Sequence, residues 1–245
     1  MSTVLRWWSW WRQTEPMIDL RLGDCLEVLA TLEAASVDAV ITDPPYLNTG
    51  TGSSRVSRVA AIPDERQFFD LWMRQIWGEL ARVLKPTGAV FMTIDWRGAM
   101  ACERAACGSP LAFGGVGVWD KEQLGMGYML RHSYECFAVA RMPDWKPVNR
   151  SVYDVWRIKW GPTARKTGHQ AEKPTELIER ALDLLAPPEG GVVLDPFMGS
   201  GTTGVVATQK GYRFIGIERE PEFHELSQRR IADAQGYGGQ SDLFA

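Results

Sequence analysis

The sequence predicts an α/β fold, a mostly parallel sheet with helices on both faces. Three observations carry that expectation. Short runs rich in β-branched residues (VDAVITD at 37–43, AVFMTID at 89–95, GVVLDPF at 191–197 and RFIGIE at 213–218) alternate with segments of helical spacing. Such runs are apolar almost throughout, as expected of strands covered on both faces. Finally, Asp24, Asp43, Asp95, Asp195 and Glu218 all stand at or just beyond apparent strand ends, the edge at which open α/β sheets bind ligands.

Taken in order, MIDLRL (17–22) reads as a strand closed by Gly23-Asp24, and CLEVLATL (25–32) has helical spacing. VDAVITD is a strand, stopped by Pro44-Pro45 because proline fixes φ and donates no ladder hydrogen bond. The Gly/Ser/Thr stretch LNTGTGSSRVSRVAAIP (47–63) follows, long enough to be functional or disordered. Asp64 opens an amphipathic helix through FFDLWMRQIWGELARVL, and Pro86-Thr87-Gly88 turns it into AVFMTID. Residues 96–127 are glycine-rich and resist assignment. YMLRHSYECFAVARM (128–142) reads as two strand pieces around Arg131 to Ser133, a hairpin. A loop-like stretch carries the short strand VYDVWRI, and TELIERALDLLA is a helix. The remainder reads strand, helix, strand, helix to residue 234, then a frayed tail. The expected organisation is a Trp-rich extension (1–16), one domain (17–235) containing a short insert around 141–168, and the tail (236–245).

The chain has 245 residues, 45% of them hydrophobic and 23% charged, with a net charge of −3. That is enough apolar content for one core and excludes a bulk polycation, so a nucleic-acid site has to be a local patch. The four cysteines form no CxxC pair and the three histidines are scattered, so no metal site is expected. Free thiols, no apolar run of membrane-spanning length and no secretory leader lead to the expectation of a cytoplasmic protein. Trp7, Trp8, Trp10 and Trp11 crowd the N-terminus, either packing on the body or a second subunit or contacting nucleic acid.

Within VVLDPFMGSGTTG, Gly199, Gly201 and Gly204 are spaced G-x-G-x-x-G between a strand and a helix, and Glu218 ends the next strand. Glycines allow the tight turn and close backbone approach to a ligand; the acid is placed to accept from a ribose diol. A dinucleotide fits these features. Two others favour S-adenosylmethionine: too little chain follows the loop for a full dinucleotide fold, and Asp195 at its entrance would repel a pyrophosphate but attract a cation.

Asp43-Pro44-Pro45-Tyr46 together with Asp195-Pro196-Phe197-Met198-Gly199-Ser200-Gly201-Thr202-Thr203 closely resembles the amino-methyltransferases of DNA, which methylate the exocyclic amine of adenine or cytosine. The order, DPPY first and FxGxG last, is that of the permuted class-beta group, and the resemblance runs from Leu20 to about Ala234. It implies a Rossmann-like S-adenosylmethionine-dependent methyltransferase fold with circularly permuted motif order. Carried over by position, Phe197, Gly199 and Gly201 line the cofactor site with Ser200, Thr202 and Thr203 in the same loop, Asp195 nearby and Glu218 on the ribose. His169 and Lys173 match the segment over the methionine end of the cofactor, and Asp24 the acid near its adenine. Asp43, Pro44, Pro45 and Tyr46 form the catalytic element.

An exocyclic amine is a poor nucleophile because its lone pair is delocalised into the ring, and in a duplex it is paired, so the base has to be flipped out. Tyr46 offers a stacking face, and Asp43 with the Pro44 carbonyl offers rigid acceptors for the amine protons. No thiolate is needed, and no cysteine follows a proline as ring-carbon methylation would demand.

Between residues 141 and 173 basic residues outnumber acids, with Trp145, Tyr153, Trp156 and Trp160 interleaved, a pattern expected of a phosphate-binding patch with stacking side chains. Lys146, Arg150, Arg157, Lys159, Arg165 and Lys166 are its expected DNA contacts, and the class-beta target-recognition region lies here. Its shortness implies a short recognition sequence, weak specificity or a homodimer that shares the contacts. Arg55 and Arg58 sit in a glycine-containing stretch placed to close over a flipped base. Adenine is the expected target, because Asp in the first motif position is more typical of adenine-specific members; cytosine N4 is the alternative. A nicotinamide oxidoreductase and a non-catalytic DNA-binding protein are the competing classes.

Overall fold

In the computed structural model the described residues are 18–46, 65–125, 129–160 and 172–236. The elements follow the chain as β1 (Ile18–Leu22), α1 (Cys25–Leu29), β2 (Val37–Thr42), α2 (Glu65–Val83), β3 (Leu84–Ile94), α3 (Trp96–Ala106), β4 (Ala112–Asp120) and β5 (Tyr134–Arg141). They continue as β6 (Val155–Arg157), α4 (Thr175–Leu185), β7 (Val192–Asp195), α5 (Thr202–Gln209), β8 (Arg213–Glu218) and α6 (Pro221–Ala234).

One sheet runs in the order β1-β8-β7-β2-β3-β5-β4-β6. All neighbours from β1 to β3 pair in parallel, β5 is antiparallel to both β3 and β4, and β6 returns parallel to β4. The central strand β2 is buried at every position. From Ala39 its side chains alternate between two cores, as the two-residue strand period requires, and the register shift between Val37 and Ala39 puts Val37 on the same side as Val40. Val37 and Val40 pack with Leu29, Met73, Ile76, Trp77 and Cys102 under α1, α2 and α3. Ala39 and Ile41 pack with Leu177, Leu182, Val206 and Ile231 under α4, α5 and α6.

The chain leaves β2 through α2 toward β3, and leaves the adjacent β7 through α5 toward β8. Two neighbouring parallel strands thus send their crossovers in opposite directions, with the helices on opposite faces. Such a switch point leaves a crevice beyond the carboxyl ends of β7 and β2. Asp43 and Asp195 stand at that crevice.

The hairpin expected around Arg131 to Ser133 does not form. Residues 129–133 carry no strand, and the hairpin partner of β5 is β4, inside the stretch that resisted assignment. Glycine hid β4 from a propensity reading, yet packing requires it: a Cβ at Gly117 would come within 2.1 Å of the Phe137 ring. Pro86-Thr87-Gly88 is not the turn between α2 and β3: the strand already begins at Leu84 and runs through it. The register jumps from Val37↔Leu84 to Ala39↔Ala89, so the proline bulges out of a continuous strand.

Candidate active site

Two clusters line the carboxyl edge. The first is the loop from β7 into α5. Met198 donates its N–H to the Ile217 carbonyl (2.9 Å), and Gly201 closes the turn by donating to Met198 O (2.9 Å). Gly201 has φ +82°, and a Cβ there would lie 2.8 Å from that of Ser227, so glycine is required twice over. Arg230 of α6 donates to the Ser200 carbonyl (2.6 Å) and pairs with Glu172, tying the loop to the segment before α4.

Above this loop Glu218 ends β8, its Oε2 accepting the Gly199 N–H and its Oε1 the Glu220 N–H, both at 2.8 Å. A carboxylate offers about four lone-pair sites, so two remain for hydroxyl donors. The Gly23 N–H donates to the Glu218 carbonyl (2.9 Å), which brings Asp24 alongside. Asp24 caps α1 through the Leu26 N–H (2.9 Å). Phe197 is partly exposed and leans on Trp72 of α2, with centroids 5.5 Å apart. An apolar ring, a diol acceptor and acids on one edge fit the adenosine and the cationic end of S-adenosylmethionine. A pyrophosphate would meet negative charge there.

Asp195 departs from its expected place among the cofactor contacts. It is 3% exposed, and its Oδ1 accepts from the Thr42 hydroxyl (2.7 Å) and the Phe197 N–H (3.1 Å). It therefore clamps the end of β2 to the glycine loop from beneath. Burial pushes its carboxyl up to about 6, against the Thr42, Thr203 and Phe197 donors that pull it down. Ser200, Thr202 and Thr203 are likewise buried; they shape the loop, whose open surface is Phe197 and Gly199.

The second cluster surrounds Asp43, whose side chain is 27% exposed at the end of β2. Its Oδ1 accepts from Thr93 of β3 (2.5 Å) and from the Tyr46 hydroxyl (2.9 Å), and its Oδ2 from Lys173 (2.6 Å). Lys173, expected over the methionine end of the cofactor, reaches the acid of the DPPY element. The same Tyr46 hydroxyl lies 2.8 Å from Glu135 Oε2, and Lys173 Nζ is 3.4 Å from that oxygen. Lys121, just past β4, holds Glu135 Oε1 at 3.2 Å. Pro44 is buried and Pro45 exposed.

Burial would raise the Glu135 carboxyl, but Lys173 and Lys121 outweigh it and hold it low. Burial would lower the Lys173 ammonium, but Asp43 and Glu135 outweigh that and hold it high. Burial first, then the Asp43 and Glu135 charges, keep the Tyr46 phenol neutral. Tyr46 is thus a hydrogen-bond donor with one proton shared between two carboxylates.

Thr42, Trp72, Thr93, Lys121 and Glu135 were not singled out by sequence. Thr93 and Glu135 had a signal: each is a lone polar residue in an apolar strand run. What they meet becomes visible only through pairing, since Thr42↔Met92 puts Thr93 beside Asp43.

The basic stretch is not one patch in space. The Met142 N–H donates to Gly88 O and the Asp144 N–H to Pro86 O, placing Lys146 near the opposite, amino-terminal edge of the parallel strands. The chain then runs along α4 through Arg150, with Asn149 and Ser151 beside Arg180 and Asp183. Arg157 and Lys159 emerge exposed at the carboxyl edge, where Ile158 bonds Asp120 O and Trp160 bonds Lys121 O. Trp156, expected to stack on bases, is 4% exposed and stacks on Phe91 (5.5 Å) in the core. Trp145 donates to Leu185 O at the end of α4. Tyr153 is 84% exposed. Arg55, Arg58, Arg165, Lys166, His169, the Trp-rich N-terminus and the tail lie outside the described residues.

The family model described as DNA methylase, for N6 and N4 methyltransferases, matches residues 37–229. The chain belongs to this family. Its members use S-adenosylmethionine and act on DNA. The type II methyltransferase M2.DpnII of Streptococcus pneumoniae is 28% identical over 240 residues, 85% of this chain and 87% of the relative. Among solved structures, the M1.HpyAVI–SAM complex aligns with a TM-score of 0.66 at 21% identity, covering 87% of this chain and 99% of the other. The PvuII DNA methyltransferase, titled cytosine-N4-specific, aligns at 0.67 and 16% identity, covering 94% and 91%. At those identities the structures establish the shared fold. In the terms of the family, the chain is a site-specific DNA methyltransferase whose glycine loop and DPPY element meet at the β7/β2 crevice. No helix among the described residues is long and apolar enough to cross a membrane.

Proposed function

We propose that this DNA methyltransferase transfers the methyl group to the exocyclic N6 amine of an adenine flipped out of DNA. The observation that carries the proposal is the Asp43 carboxylate, partly open at the end of β2 and joined to the glycine loop through Thr42 and Asp195. An acid in this first motif position is the form typical of adenine-specific members.

S-adenosylmethionine, when bound, supplies an electrophilic methyl on a sulfonium. Phe197, Gly199, Glu218 and Asp24 bind and orient it along the β7–β8 half of the edge. Asp43 and the Pro44 carbonyl accept hydrogen bonds from the two amine protons. Those acceptors draw the nitrogen toward tetrahedral geometry and localise its lone pair for in-line attack; as the N–C bond forms the methyl–sulfur bond breaks, its electron pair staying on the departing thioether, and the surplus amine proton passes to Asp43 or through it to water. The acceleration comes from positioning and from acceptors aimed at developing positive charge. Pro44 and Pro45 keep the acceptors rigid. The Tyr46 ring offers a stacking face for the flipped base. Arg157 and Lys159, exposed at the same edge as Asp43, would neutralise backbone phosphates in this reading. Lys146, at the other edge, would not.

Incubating DNA with methyl-labelled cofactor and identifying the modified nucleoside by mass spectrometry tests this directly. N6-methyladenine is the expected product. N4-methylcytosine would overturn the target assignment and leave the family reaction standing, whereas no label with the wild-type protein would overturn catalysis itself.

A further inference from the structure

Asp43 is occupied before any base reaches it. Thr93 and Tyr46 take Oδ1 and Lys173 takes Oδ2, so three of about four lone-pair sites are filled. The Lys173 side chain is 10% exposed and its Nζ also lies 5.4 Å from the Tyr46 ring centroid. An ammonium on this carboxylate opposes the chemistry in two ways. It competes with the amine protons for the acceptor, and its charge repels the positive charge that grows on the attacking nitrogen. One acceptor site stays open on Asp43, but it lies beside the ammonium, so the target amine is held and activated best once Lys173 gives way.

The fold supplies a place for it to go. Glu135 Oε2 is 3.4 Å from Lys173 Nζ, at the end of β5 that faces the DPPY element. Its other oxygen is held by Lys121 at 3.2 Å, so Glu135 has a fixed orientation. Glu135 is not in the motifs; its only sequence signal is an acid in an apolar strand. The Lys121 bond and the shared Tyr46 hydroxyl hold Glu135 in place, and the facing charges favour the ionised form of both Glu135 and Lys173.

We propose that Lys173 is a latch on Asp43 and that Glu135 is the residue that releases it: an arriving amine displaces Lys173 from Asp43 Oδ2, and Glu135 takes the ammonium. Glu135 is thus a positioning residue acting through Lys173, and the Asp43 acceptor is uncovered only when a base is in place. This rests on the reading of Asp43 as acceptor for the target amine.

The test is a double-mutant cycle with Glu135→Gln and Lys173→Met, read by kcat for methyl transfer, cofactor affinity by titration, and melting temperature. Glutamine keeps the shape and an acceptor for Tyr46 but cannot draw off a cation. Glu135→Gln is expected to lower kcat by about tenfold or more, with cofactor Kd within about twofold and the melting temperature nearly unchanged. Adding Lys173→Met removes the latch, and the double variant should recover about fivefold or more of the lost kcat. A double variant no faster than Glu135→Gln would overturn the proposal, as would a Lys173→Met variant whose main defect is a raised cofactor Kd. Asp43→Ala, which removes the acceptor, separates the two readings. If it is inactive and the rescue is absent, the latch alone fails; if it is active, the acceptor role of Asp43 fails first.

Discussion

The two halves of the carboxyl edge are built by different means. Around β7, α5 and β8 the site is made of backbone: a loop closed on itself through Gly201, buried Ser200, Thr202 and Thr203, and a Glu218 carboxylate held by N–H groups. Around β2, β3 and β5 it is made of charged side chains that share partners, with Tyr46 and Lys173 each divided between Asp43 and Glu135. Backbone contacts of the first kind fix a shape. Shared contacts of the second kind can be exchanged, because the loss of one partner is offset by the other. Under the proposed function the first construction is the reusable cofactor pocket, and the second the site that accepts and releases a base.

The largest effect expected in the exchangeable half is that of Asp43→Ala, which should lower methyl transfer by about 10³-fold or more with little change in cofactor affinity. A modest loss would place the acceptor elsewhere. In the backbone half the matching lesion is Gly201→Ala. Its Cβ would lie 2.8 Å from Ser227 at φ +82°, so it should lower stability by roughly 1–3 kcal/mol and weaken cofactor binding together. Unchanged melting and affinity would show that the loop is not the rigid element described.

Asp195 sits between the halves and gives a pH signature. Its folded carboxyl, raised to about 6 by burial, lies above an unfolded value of about 3.9. Its contribution to stability is therefore fully present below about pH 4 and lost as pH rises through about 6. Asp195→Asn keeps an acceptor for Thr42 and should not show that fall, so the wild type should lose about 1–3 kcal/mol relative to the variant across this window, read by denaturant unfolding at each pH. Parallel profiles would count against a buried, protonatable Asp195. The smallest effect is expected from Tyr46→Phe, which keeps the ring but removes the shared proton. kcat should fall severalfold, about 1 kcal/mol, and cofactor affinity should not move.

How much of this was legible in sequence follows the same division. The backbone half was read well, because its requirements are local: glycines spaced at a turn, a strand before, a helix after, an acid at the next strand end. The strands flanking the switch point were likewise visible from β-branched runs. The side-chain half was read only at the DPPY element. Glu135, Thr93 and Lys121 reach Asp43 through strand pairings that join β2 to β3, β3 to β5 and β5 to β4, and no local pattern encodes those registers. Lys173 was seen, but its pairing with Asp43 and Glu135 was not, since neighbours in sequence do not reveal which strand end a side chain meets. The interleaved tryptophans misled for the opposite reason: Trp156 fills the core between Phe91 and Phe137, and the charged positions around it face opposite edges of the sheet.

The division of cofactor binding and acceptor chemistry between separate halves of one edge belongs to the proposed function. It is tested most directly by titrating S-adenosylmethionine and measuring methyl transfer at saturation for Asp43→Ala and Glu218→Ala side by side. The expected result is a crossing. Asp43→Ala should bind cofactor normally and fail to transfer, while Glu218→Ala should bind about 10–100-fold more weakly, the value of a lost charge-assisted hydrogen bond, yet transfer once loaded. If both variants lost affinity and turnover together, the two halves would be one unit and the account would be wrong.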